Sequence, residues 1–225
     1  MSTDFSKTHV LVIDDEKFIR EMICRLLGLI GVTKISEATD GADGLVKLSA
    51  DLPDLVVLDI MMEPMNGLKF LKTVRMGLSD APRDVPIIVV TGSDEQAVFG
   101  TAMALDCNAF VRKNEGKDVI QDRMARVLAE TPEIKESGSY RSIEIPDITI
   151  IIPPSDQSQD APPPPTKAYE IPIEEVEAGA VVARDVTTED GCMLLTAGSV
   201  LNASYLNRLK DLSAIIELPS IWIEK

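Results

Sequence analysis

Asp14, Asp15, Asp59, Thr91 and Lys113 are the residues of this 225-residue chain whose types and positions could do chemistry together. Each stands at or just past the end of a short apolar run. Val10-Leu-Val-Ile13 leads into Asp14-Asp15, and Asp54-Leu-Val-Val-Leu58 into Asp59. Val85-Pro-Ile-Ile-Val-Val90 leads into Thr91, and Lys113 follows Ala109-Phe-Val111. Three carboxylates in one place repel each other and need a compensating cation. Donors that are all oxygen favour a hard divalent ion such as Mg²⁺. A lysine opposite that ion adds a second positive point. Together they frame a place for a group with several anionic oxygens, such as a phosphoryl. One carboxylate could then attack phosphorus. Asp59 is the candidate, because it ends the most apolar strand alone. A single strand-end Asp is ordinarily a turn residue, and an acidic pair ahead of a helix ordinarily answers the helix dipole. It is the joint pattern, in this order, that points to a site.

The elements that must position these residues alternate. After the first apolar run, Phe18, Ile19, Met22, Ile23, Leu26, Leu27 and Ile30 fall at helical spacing. A weaker strand is expected over 35–38, then helices over 42–50 and 68–76, one near 95–105, and one carrying Val119, Ile120, Met124, Val127 and Leu128. Five strands, all but the weaker second one apolar, alternating with five helices predict a doubly wound, parallel α/β sheet covered on both faces. Ligands of such sheets bind beyond the C-terminal strand ends, which is where the five residues stand.

Residues 8–130 resemble the receiver domain of bacterial two-component response regulators, a flavodoxin-like fold. The matching stretches are Val10-Leu-Val-Ile-Asp-Asp-Glu16, Val56-Val-Leu-Asp-Ile-Met-Met62, Pro64-Met-Asn-Gly67, Ile88-Val-Val-Thr-Gly92 and Ala109-Phe-Val-Arg-Lys113. The resemblance implies that Asp59 accepts a phosphoryl group from a sensor histidine kinase or phosphotransfer protein. It implies Mg²⁺ held by Asp14, Asp15, Asp59 and the backbone carbonyl of Met61. It implies that Thr91 hydrogen-bonds the phosphoryl, that Lys113 pairs with it, and that Phe110 occupies the switch aromatic position. Two departures stand out: the proline usual after Met62 comes one place later, at Pro64 behind Glu63, and Asn114 replaces the usual proline after the lysine.

Composition bounds the rest. The chain carries 37 Asp+Glu against 22 Lys+Arg, a net charge of -15, which repels phosphate backbones, so no nucleic-acid partner is expected. No apolar run reaches ~18 residues, so no membrane span is expected. Three distant cysteines (Cys24, Cys107, Cys192) suggest a reducing cytoplasm, and His9 reads as a surface or edge residue. Eight of the 14 prolines fall between Pro132 and Pro165 and mark a linker. The expected organisation is a 1–131 receiver, a 132–168 proline-rich linker and a 169–225 small, mainly β module with one helix. Within the linker, 148–152 is rich in isoleucine and is expected to dock as a strand. In the module, Val181-Val-Ala183 and Met193-Leu-Leu195 are expected to form a hairpin around Asp190-Gly191, and Leu206, Leu209 and Leu212 mark the helix. The module weakly resembles a small β module found beside some bacterial signalling phosphodiesterases. No catalytic or DNA-reading pattern stands in it, so its expected output is contact with a downstream protein or with itself. A pseudo-receiver adaptor, an aspartyl-phosphate phosphatase of similar fold and a transcription factor remain alternatives.

Overall fold

The computed structural model describes residues 3–92, 98–131, 133–146, 168–188, 193–216, 218 and 220–224. The expected docking strand at 148–152, most of the linker, the Asp190-Gly191 turn and the first residues of the helix expected near 95 lie outside them. The chain divides into two compact units, 1–92 with 104–145, and 93–103 with 146–225.

The first unit is built on five strands: β1 (His9–Ile13), β2 (Lys34–Ala38), β3 (Leu55–Asp59), β4 (Ile87–Thr91) and β5 (Ala109–Arg112). They form one sheet in the order β2-β1-β3-β4-β5, with every neighbouring pair parallel. The connecting helices are α1 (Lys17–Leu29), α2 (Gly41–Asp51) and α3 (Gly67–Arg75), with α5 (Lys117–Ala129) after β5. Every residue of β1, β3 and β4 is buried, as expected of strands covered on both faces. Alternation divides each strand between two cores. Val10, Val12, Val57, Ile88 and Val90 pack with Ile23 and Leu27 of α1 and Ile120, Met124 and Val127 of α5. Burying each such aliphatic side chain contributes about 1.5–3 kcal/mol. On the other face α2 comes so close that a Cβ on Gly44 would sit 2.6 Å from Ile13 Cδ1 and 3.2 Å from Phe70.

His9 departs from expectation. As the first residue of a central strand it is buried rather than at the surface. Its N–H donates to Asp54 Oδ2 at 2.8 Å, and Nε2 lies 2.9 Å from Ser36 Oγ. The strand begins one residue before the apolar run that announces it.

Part of the stretch read as linker belongs to this unit. Residues 133–145 form a strap that includes a 3-10 turn, Ser137–Tyr140. Its anchor is a buried polar cluster at the N-terminal ends of β4 and β5. Arg75, wholly buried, donates to the carbonyls of Arg83, Val85 and Asp106 and to Asn108 Oδ1. The Asp106 carboxylate accepts from Tyr140 Oη at 2.8 Å and Lys135 Nζ at 2.9 Å. Lys72 Nζ of α3 donates to Ile143 O at 2.7 Å. Burial and the Asp106 carboxylate push the Tyr140 phenol up to about 12.

The second unit contains α4 (Phe99–Ala104), β6 (Ala168–Ile171), β7 (Val186–Thr187), β8 (Met193–Leu195), α6 (Ala203–Ser213) and β9 (Ile221–Glu224). Asn202 caps α6 by accepting from Tyr205 N, and Leu206, Leu209 and Leu212 are buried as the spacing predicts. The expected hairpin is re-paired. Met193–Leu195 pairs antiparallel with Val186–Thr187, whereas Val181 bridges Val200 and Val182 bridges Ile223. β6 pairs antiparallel with β9.

Candidate phosphoacceptor site

Strand register assembles the site. β1 and β3 pair with Ile13 opposite Leu58, so Asp14 and Asp59 extend side by side from adjacent strand ends. This is the switch point of the sheet, where the chain passes from one side of β1 to the other. β3 and β4 pair with Asp59 opposite Val90, so Thr91 stands one residue further on. β4 and β5 pair with Thr91 opposite Arg112, and Lys113 N–H then donates to Thr91 O at 2.9 Å. Parallel pairing alone thus delivers all four residues to one edge.

The side chains converge. Lys113 Nζ lies 3.0 Å from Asp59 Oδ2 and 3.5 Å from Asp14 Oδ2. Oxygens of Asp14, Asp15 and Asp59 all fall within 4.8 Å of one another. Asp14 and Asp59 are buried, whereas Asp15 is exposed. Asp14 Oδ1 accepts from Glu16 N–H at 2.8 Å. Its Oδ2 is buried without a hydrogen bond among the described residues. Desolvation holds the Asp14 carboxyl above the usual carboxylate range, against the opposing pull of the Lys113 ammonium. Largely buried and acid-rich, this cluster suits a hard divalent cation, which would supply the charge that burial denies.

The loop after β3 closes one side. Met61 lies in the turn that follows the strand, and Met62 N–H bonds back to Ile60 O. The Glu63-Pro64 peptide is cis. Asn66 caps α3 by accepting from Lys69 N, and Gly67 N–H donates to Ile60 O at 2.9 Å. Gly67 approaches so closely that a Cβ there would sit 2.1 Å from Asp59 O. Opposite, Gly41 N–H donates to Met65 O at 2.9 Å at the start of α2. Thr91 is fully buried, with Oγ1 donating to Gly92 O. Phe110 is buried within β5, opposite Val89 and three residues before Lys113, so it neighbours the cluster through the sheet rather than joining it.

Two residues that the motif reading leaves without a role stand beside the cluster. Glu16 Oε1 lies 3.5 Å from Lys113 Nζ. Arg20 on α1 donates to Asp14 O at 2.8 Å. Spacing carries a signal for Arg20: with Ile23 and Leu27 it occupies the inward face of α1, and an arginine there must find acceptors.

Residues 10–125 match the response regulator receiver domain family, and the chain belongs to that family. It is 27% identical over 142 residues to the response regulator MprA of Mycolicibacterium vanbaalenii, covering 63% of this chain and 59% of that protein. It is 32% identical over 126 residues to a Guillardia theta protein named "Probable transcriptional regulator ycf27", covering 56% of this chain and 47% of that one. The chain therefore spans about half to three-fifths of these relatives. A crystal structure of "a putative response regulator" from Chloroflexus aurantiacus J-10-fl shares the fold at 22% identity and TM-score 0.50, covering 55% of this chain and 99% of that one. Among the described residues no helix is long and apolar enough to cross a membrane.

Proposed function

We propose that this response regulator is the phosphoacceptor of a two-component phosphorelay, with Asp59 as the acceptor. The observation that carries the reading is the Lys113 ammonium held 3.0 Å from Asp59 Oδ2, at the edge of a buried carboxylate cluster. A carboxylate oxygen of Asp59 attacks the phosphorus of a phosphohistidine. The P–N bond breaks, its electron pair stays on the imidazole nitrogen, and that nitrogen takes up a proton. Lys113 turns from Asp59 to the phosphoryl oxygens, and the Thr91 hydroxyl donates to another. Asp14, Asp15, Asp59 and the Met61 carbonyl would hold Mg²⁺, which supplies neutralising charge when bound. Thr91 and Phe110 pass the change along β4 and β5 to a partner surface. The proteins that meet this chain are a histidine kinase or phosphotransfer protein upstream and a protein partner downstream.

One relative carries the name of a transcriptional regulator. Residues 169–225 of this chain hold 10 Asp+Glu against 4 Lys+Arg, a charge balance that favours protein contact over nucleic acid as the output. The test is uptake of label from radiolabelled acetyl phosphate. Wild type takes up label only with Mg²⁺, and Asp59→Asn takes up none. Label retained in Asp59→Asn at the wild-type level moves the acceptor elsewhere.

A further inference from the structure

We infer that Arg20 is a positioning residue for the cation site, acting through a two-point staple between Asp14 and Glu37. The inference rests on the phosphoacceptor reading above. Arg20 lies on the inward face of α1, with its side chain 11% exposed. A guanidinium so placed is costly unless its donors are satisfied. Two acceptors meet it. Nη1 donates to Asp14 O at 2.8 Å, and Nε donates to Glu37 Oε2 at 3.1 Å. Both belong to the β1–β2 edge at the level of the site, because Asp14 N–H itself bonds to Ala38 O at 3.2 Å. Glu37 is held in turn: its carbonyl accepts from Lys47 Nζ, which also pairs with Asp43 at 3.4 Å.

The staple therefore fixes the peptide from which the Asp14 and Asp15 side chains both depart. Asp14 has little else to orient it. Its Oδ1 is set by Glu16 N–H within the same turn, and among the described residues its Oδ2 meets only the Lys113 ammonium, at 3.5 Å. A metal ligand whose supporting contacts loosen loses affinity, typically by 10–100-fold when an outer partner is removed. Arg20 also brings a positive charge behind a cluster of three carboxylates. A lysine would keep that charge and lose the fork that reaches both acceptors at once.

The test is calorimetric titration of the full chain with Mg²⁺ alone, together with the Mg²⁺ dependence of labelling by acetyl phosphate. Arg20→Met is expected to weaken Mg²⁺ binding by about 10-fold and to raise the half-saturating Mg²⁺ for labelling in step. The labelling rate recovers at high Mg²⁺. Glu37→Ala, whose side chain is 50% exposed, shifts both readouts in the same direction by less. Arg20→Lys falls between Arg20→Met and wild type. A purely structural arginine predicts a lower melting temperature and lower maximal labelling, with unchanged Mg²⁺ affinity. That result, or unchanged affinity in both Arg20→Met and Glu37→Ala, overturns the inference. Should Arg20→Met not fold, Glu37→Ala decides alone. Wild type that binds no Mg²⁺ overturns the phosphoacceptor reading itself, an outcome distinct from the failure of Arg20.

Discussion

Asp14 is a carboxylate kept in the wrong solvent. Burial raises its pKa while Lys113 pulls the other way, and burial is the larger effect. Because the folded state holds this proton more tightly than the unfolded one, the ionised group opposes folding at neutral pH. The penalty is complete above the folded pKa and disappears as pH falls below the ordinary aspartate value of 3.8. Asp14→Asn is expected to raise the melting temperature by a few degrees at pH 7 without divalent cation, and by less as the pH is lowered towards 4. Mg²⁺ should raise the melting temperature of wild type and have little effect on the variant. Thermal unfolding followed by circular dichroism across pH, with and without Mg²⁺, reads both effects. At this scale the sequence was informative where chemistry and strand ends coincide. Asp14, Asp59, Thr91 and Lys113 are legible because each follows an apolar run. Glu16 and Arg20 are less so, since an acid beside a lysine or an arginine on a helix has many innocent partners. His9 is buried by contacts to Ser36 and Asp54 from the neighbouring segments, which the local sequence does not display.

Helices and strands of the first unit were legible because period and burial agree: all-apolar strands, then amphipathic helices. The close approaches between elements were not, because a glycine in sequence does not name what it touches. Gly67 and Gly28 make the contrast testable. A Cβ at Gly67 would strike Asp59 O at 2.1 Å, and the clash is with backbone that cannot swing aside. Gly67→Ala is expected to destabilise by at least 1–3 kcal/mol, about the cost of overpacking a core, and to impair labelling by displacing the end of β3. Gly28 lies in exposed α1 surface with nothing within 4 Å of its would-be Cβ. Gly28→Ala should stabilise by about 0.5–1 kcal/mol and leave labelling unchanged. Urea unfolding of both variants, with labelling assays alongside, checks the pair. The β module shows the other limit. Val181-Val-Ala183 and Val186–Thr187 are both short apolar pieces ahead of the same turn, so local pattern does not choose between them. The choice is made at long range: Val182 N–H donates to Ser199 O, Ala183 N–H to Trp222 O, and Glu224 N–H to Val181 O.

For the whole molecule, the strap moves the end of the first unit from 131 to 145. Tyr140 is fully buried, and its hydroxyl sits between Asp106 Oδ2 and Lys135 N–H, 2.8 Å from each. A 1–145 fragment is expected to unfold cooperatively and to accept label. A 1–131 fragment uncovers Asp106 and the Tyr140 seat, and should melt lower. Tyr140→Phe should cost about 1–3 kcal/mol, the usual range for stranding a buried polar partner. It should also change the alkaline limb. The phenol is raised from 10.0 to about 12 on folding, so the folded state retains a proton that the unfolded state releases, and stability falls as pH rises above about 10. That slope should be shallower in Tyr140→Phe, as measured by urea unfolding from pH 8 to 11. The strap also sets a schedule for synthesis. Asp14, Asp15, Asp59 and Lys113 all leave the ribosome before Tyr140 does, so a nascent chain can display the whole carboxylate–lysine edge while the opposite end of the sheet is still open. At about 5–20 residues per second the gap lasts roughly one to five seconds. During it, Lys72 and Asp106 have to rely on water or on a chaperone for the partners that the strap later brings.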